Sequence, residues 1–160
     1  MRGVWKLKKI LEKAATLNEE KYSGKPESIF ERGEWQNLFI LDACRHDLYE
    51  EATGQKVDDR VTLGGHSAEY IEKTFSEEDY SDTVYVTSNP HFSPDNFQDE
   101  TGREIDEVFD EVFHTYQTDW DEEENTVLPG PLIRDARTAR NLFPDKKIIV
   151  HFMQPHYPFV

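Results

Sequence analysis

The sequence contains one cysteine, Cys44, in 160 residues. That excludes an internal disulfide and any cysteine-rich zinc site. It has no run of about 18 apolar residues of the kind a membrane-spanning helix needs. Charges are scattered through residues 1–16, so no signal peptide is expected and the expected compartment is the cytoplasm. Basic side chains are scarce: 18 Lys and Arg stand against 33 Asp and Glu, for a net charge of -15. Such a balance argues against nucleic acid as a partner, because unneutralised phosphates would be repelled. Internal repeats and long linkers are absent too. The length suits one ordinary domain with its own core, or a piece of a larger one.

Aromatic residues are plentiful. Ten Phe, seven Tyr and three Trp supply core material that a disordered acidic chain would lack. The acidic excess therefore reads as a solvated surface of the halophilic kind, suited to a high-salt cytoplasm. Residues 1–20 form the one basic segment. Val4, Leu7, Leu11 and Ala14 recur at spacings of three and four, with Arg2, Lys6, Lys8, Lys9 and Lys13 among them. This pattern predicts an amphipathic basic helix. It either docks on its own acidic domain or makes weak contact with a membrane surface.

From residue 35 onward, strands and helices alternate. Leu38-Phe39-Ile40-Leu41 is a strand that stops on Asp42, and a short helix over 45–52 is ended by Gly54. Gly64-Gly65-His66-Ser67 opens a second helix. Residues 83–87 form a β-branched and aromatic strand ending at Ser88-Asn89-Pro90. Pro94 and Gly102 mark a polar loop, and Ile105, Val108, Phe109, Val112 and Phe113 predict an amphipathic helix. The acidic run 119–124 lacks the ligand spacing of a calcium loop. A helix over 131–143 and a strand over 147–152 complete the order. The alternation predicts an α/β fold, a mostly parallel sheet flanked by helices.

Polar groups collect where strands meet loops, the usual place for ligands in open α/β sheets. Asp42 at a strand end is a hard oxygen ligand for a divalent metal, or a helix cap. Ser67, beside two glycines at a helix start, is a nucleophile activated by a metal, or an ordinary N-cap. His151 lies inside a strand and suits a hydrogen-bonded core position. His156, in the loop beyond it, is better placed for substrate. Cys44 reads as a small buried apolar residue.

Three stretches together resemble the N-terminal part of a sulfatase-like protein of the alkaline phosphatase superfamily. They are Leu38-Phe39-Ile40-Leu41-Asp42-Ala43-Cys44-Arg45-His46-Asp47, then Gly64-Gly65-His66-Ser67-Ala68-Glu69, then His151-Phe152-Met153-Gln154-Pro155-His156-Tyr157-Pro158-Phe159. Their order and spacing fit across most of residues 35–160. The resemblance implies a metal-dependent hydrolase or transferase of sulfate or phosphate esters. In it Asp42 is a metal ligand, Ser67 the nucleophile, and His156 and Arg45 contact substrate. It implies a divalent ion (Mn, Mg, Ca or Zn) and a small sulfate- or phosphate-ester substrate. The chain departs from arylsulfatases, with Ala43 where a second Asp is usual and neither Pro nor Arg after Ser67. The family's remaining metal ligands come from strands beyond the Pro155-His156 loop. The expected domain is thus incomplete at the C-terminus. The alternative is a catalytically inactive binding protein that keeps the architecture.

Overall fold

A computed structural model describes residues 26, 28–31, 34–58 and 60–156. The expected helix over 1–20 and its membrane contact lie outside the described residues, as do Tyr157 to Val160. Among the described residues no helix is long and apolar enough to cross a membrane.

Among the described residues four strands form one all-parallel sheet: β1 (Asn37–Leu41), β2 (Tyr80–Thr87), β3 (Phe109–His114) and β4 (Lys147–Phe152), in the order β1-β4-β2-β3. Parallel neighbours require crossovers. These carry α1 (His46–Thr53), α2 (Ser67–Phe75), α3 (Pro94–Thr101) and α4 (Pro129–Leu142). The fold is α/β, as the alternation predicts.

Alternation along each strand divides the core in two. Tyr85 of β2 and Ile149 of β4 face α2 and α3, and join an aromatic cluster centred on Phe75. Phe75 meets Phe109 at 5.2 Å, Phe92 at 5.7 Å and Tyr85 at 6.1 Å, all near edge-to-face. That geometry sets the positive ring edge on the negative ring face. Val84, Val86, Ile148 and Val150 face the other way, onto Leu132 and Ala139 of α4.

Two elements differ from expectation. Residues 105–113 do not form one helix: a 3-10 turn spans Ile105–Glu107, and Phe109–His114 is strand β3. The apolar spacing there suits a helix, but Val112 and Phe113 pair with Tyr85 and Val86 across the sheet. Tertiary pairing overrides the local period. The segment around Pro94 is a helix and not a loop. Ser93 Oγ accepts from Asn96 N at 3.3 Å, Pro94 opens the first turn, and Gly102 closes the helix at φ 72°. All three signals are ordinary helix punctuation.

Candidate functional site

Because every strand runs the same way, the carboxyl ends of β1, β2 and β4 open on one edge. Asp42 follows β1, Ser88-Asn89 follows β2, and residues 153–156 follow β4. The N-terminus of α2 reaches the same edge. Asn89 Nδ2 donates to Asp42 Oδ2 at 3.2 Å and to Ser67 Oγ at 3.3 Å. Side chains 47 and 22 residues from Asn89 in sequence therefore meet at one amide.

Ser67 is the first residue of α2, not its cap. His66 is the cap: its Nδ1 accepts from Glu69 N at 3.3 Å, while Glu69 Oε2 accepts from Gly65 N at 2.8 Å. This reciprocal pair works like a capping box. It leaves the Ser67 hydroxyl free of capping duty. Gly64 lets the turn close on the helix. A Cβ at Gly64 would stand 2.3 Å from Tyr70 N and 2.6 Å from Tyr70 Cα.

Asp42 extends the ladder by donating its N–H to Phe152 O at 3.1 Å. Ala43 after it holds φ 57°, a left-handed conformation uncommon for a residue with a Cβ. Partial burial raises the Asp42 carboxyl above its ordinary 3.8. The positive potential of His156, the Ala43 N–H and His91 oppose that rise.

Asn89 is 1% exposed, and its orientation is fixed at both ends. Its Oδ1 accepts from His91 N at 2.9 Å, so the amide must turn N–H toward Asp42 and Ser67. Ser88 joins the two loops. Its Oγ donates to His151 O at 3.0 Å and accepts from Met153 N at 2.9 Å. In effect a hydroxyl continues the β2–β4 ladder past the last strand residue.

The remaining sequence candidates fall as follows. His156 is exposed, closes a turn through its N–H to Met153 O at 2.9 Å, and lies near enough to Asp42 to favour its charge. Its loop is tied down by Gln154 Nε2, which donates to Val127 O at 3.0 Å; the Gln154–Pro155 peptide is cis. Arg45 sits at the start of α1, exposed, with its guanidinium forked onto Asp47. His151 is a buried core residue. Its Nδ1 meets Tyr85 OH at 2.9 Å, and burial depresses its pKa to about 4. Cys44 is half-buried, with its thiol pKa pushed up by burial. The Tyr70 hydroxyl is buried without a hydrogen-bond partner among the described residues.

Asn89 and His91 were not singled out from sequence. The available signal was position, since Asn89 lies at the carboxyl end of a confident strand.

A divalent ion fits this edge on one side only. Asp42 offers a carboxylate and Ser67 a hydroxyl, both hard oxygens, but Asn89 presents a donor between them. Among the described residues no three His, Cys, Asp or Glu side chains could together hold a metal ion. No family model, curated protein or solved structure matches the chain.

Proposed function

We propose that this edge is a sulfatase-like ester site, working as a metal-dependent hydrolase or transferase of small phosphate or sulfate esters. The observation that carries the proposal is the meeting of Asp42, at the end of β1, and Ser67, at the start of α2, on one edge of the sheet. A hydroxyl at a helix N-terminus, not used as a cap, faces free N–H groups and a partial positive charge suited to an anionic ester.

In this reading Ser67 Oγ bonds to the phosphorus or sulfur as the bond to the departing ester oxygen breaks. The serine proton passes to solvent, and Asp42 stays a carboxylate beside it. His156 in the opposing loop supplies a proton to the leaving oxygen. Asn89 Nδ2 holds the serine oxygen in place and stabilises negative charge on it as its proton leaves. Arg45 would reach the substrate's anionic part only by leaving Asp47. Asp42 and Ser67 are the residues that would hold a Mn, Mg, Ca or Zn ion, which would supply Lewis acidity to the ester and the hydroxyl. The other ligands that such open oxygen sites require would come from outside the described set.

The second reading is a binding protein of the same architecture without turnover. It is favoured by the Asn89 N–H between Asp42 and Ser67, a donor that repels a cation from the space between them. Calorimetry of the full chain with Mn²⁺, Zn²⁺ and Mg²⁺, with aryl-phosphate and aryl-sulfate assays, separates the two. Catalysis requires metal heat that disappears in Asp42→Ala and turnover that disappears in Ser67→Ala. Absence of both in the unsubstituted chain leaves the binding reading.

A further inference from the structure

The two faces of the sheet are covered unequally. On one, α2, α3 and the turn at Phe92 bury a continuous aromatic core. On the other, α4 packs over β2 and β4. A helix occupies about 10 Å across a sheet whose strands lie about 4.8 Å apart, so one helix covers two strands. The side chains of β1 are left bare on that side, and Phe39 is 63% exposed. A groove of about 420 Å³ runs between β1 and α4, with Phe39, Val150 and Phe152 on the sheet side and Ile133 and Ala136 on the helix. Its size and apolar walls are those of a small-ligand site, commonly about 300–1,000 Å³.

The polar end of this groove presents donors. Arg140 is pinned across the amino end of β1, away from the Asp42 edge. It donates to Gln36 O at 3.0 Å and Asn37 Oδ1 at 2.7 Å, and to Pro144 O at 3.0 Å and Lys146 O at 2.9 Å. These acceptors are all neutral, so the guanidinium is fixed in place with its charge uncompensated. Because Asn37 Oδ1 faces Arg140, the Asn37 amide turns its two N–H groups the other way. Arg137, exposed on the same wall, lies one turn earlier in α4, about 4.5 Å along the axis. Among the described residues neither arginine pairs with a carboxylate, and no acidic residue lines the groove. In a chain of 33 acidic and 18 basic side chains, this is a local reversal of sign. More distant carboxylates are screened beyond about 8 Å at physiological ionic strength, so the two guanidiniums set the potential here.

We propose that the groove binds a small amphiphilic carboxylate. Its apolar chain lies along Phe39, Phe152 and Ile133, and its head meets Arg137 and the Asn37 amide beside the fixed charge of Arg140. One guanidinium with unused N–H groups and one amide suit the two oxygens of a carboxylate, which arginine binds with a planar fork. The three oxygens of a phosphate or sulfate head would call for more donors than this end offers.

The test is calorimetry of the full chain with decanoate, octanoate and decyltrimethylammonium, each kept below the concentration at which it forms micelles. Decanoate should bind one per chain, and the cation with the same tail about ten-fold or more weakly. Octanoate, two CH₂ groups shorter, should bind about fifteen-fold more weakly than decanoate. Arg137→Gln should weaken decanoate about ten-fold or more, the effect of losing a hydrogen bond to a charged group, and leave the urea midpoint unchanged. Phe39→Asp, at an exposed position, should abolish binding with the circular dichroism spectrum intact. Equal affinity for the two decyl ions, or an Arg137→Gln chain that binds decanoate like the parent, would overturn the proposal. So would many decanoates per chain, the mark of unspecific adsorption. Loss of decanoate binding as the chain dimerises at rising protein concentration would give the groove to a second copy instead.

Discussion

Asp42 and His151 titrate against the fold in different pH windows, and both effects are measurable one side chain at a time. Burial raises the Asp42 carboxyl above 3.8. A raised carboxyl favours folding while protonated and costs stability as pH climbs through the folded value. Asp42→Asn should therefore be more stable than the parent at pH 7, by about 0.5–2 kcal/mol, the usual range for relieving such a position. The gain should vanish below pH 3.8. A urea midpoint for Asp42→Asn at or below the parent's at pH 7 would show that the carboxylate is not a liability. His151 works in the other sense. Its pKa falls from 6.5 to about 4, so its contribution is present above 6.5 and is lost as pH falls toward 4. The loss is on the order of 3 kcal/mol. In His151→Gln, which keeps a polar group near Tyr85 OH, the stability–pH curve should be flatter across that window. A parent curve already flat between pH 6.5 and 4 would contradict the buried neutral imidazole. At this scale the site was half legible. Asp42 and Ser67 declare themselves by standing where a strand stops and a helix starts. Asn89 does not, because an asparagine before a proline reads as turn chemistry. Only its burial between two loops gives it a different role.

The start of α2 is the element on which the proposed site depends, and its two glycines are not equivalent. A Cβ at Gly64 would press into the backbone of Tyr70 at 2.3 Å, whereas at Gly65 the nearest atom is the end of the Glu69 side chain at 3.5 Å. Gly64→Ala must shift the helix start or the turn, and we expect a loss of about 1–3 kcal/mol, the range for overpacking. Gly65→Ala should stay within about 0.5 kcal/mol of the parent. Equal midpoints for the two variants would remove the close approach as the reason for glycine. Ser88→Ala offers a second check at this scale. It removes the acceptor of Met153 N–H and should cost about 1–3 kcal/mol if that group is left unsatisfied, measured by urea unfolding. The helix starts and most strands were legible because caps, glycines and β-branched runs are local signals. β3 was not. Ile105, Val108, Phe109, Val112 and Phe113 satisfy a helical period, and the pairing with β2 that decides the matter is long-range. The helix over Pro94–Thr101 carries local signals as well, since its Ser93 cap, Pro94 and Gly102 are all present in the sequence.

At the scale of the whole molecule the dominant quantity is charge. With 33 acidic against 18 basic side chains, carboxylates outnumber the cations by 15, and mutual repulsion opposes the compact state. The ion pairs that do form, such as Lys147–Asp82 at 2.8 Å and Arg134–Asp119 at 2.8 Å, are partly exposed. Pairs of that kind are each worth about 0–1 kcal/mol. Salt weakens both terms, but the excess of like charge makes the relief of repulsion the larger. The Debye length falls from about 10 Å at 0.1 M to about 3 Å at 1 M. The thermal midpoint should therefore rise with KCl, steeply at first and more gently above a few tenths molar. Each gain of about 1 kcal/mol would move it by about 2–4 °C. Arg134→Ala provides the contrast. It removes one cation from beside Asp119 and Asp135, so it should lower the midpoint at low salt and converge on the parent at molar KCl. A parent midpoint indifferent to KCl would mean that the acidic surface is already neutralised by its own geometry, and the halophilic reading of the composition would fall with it.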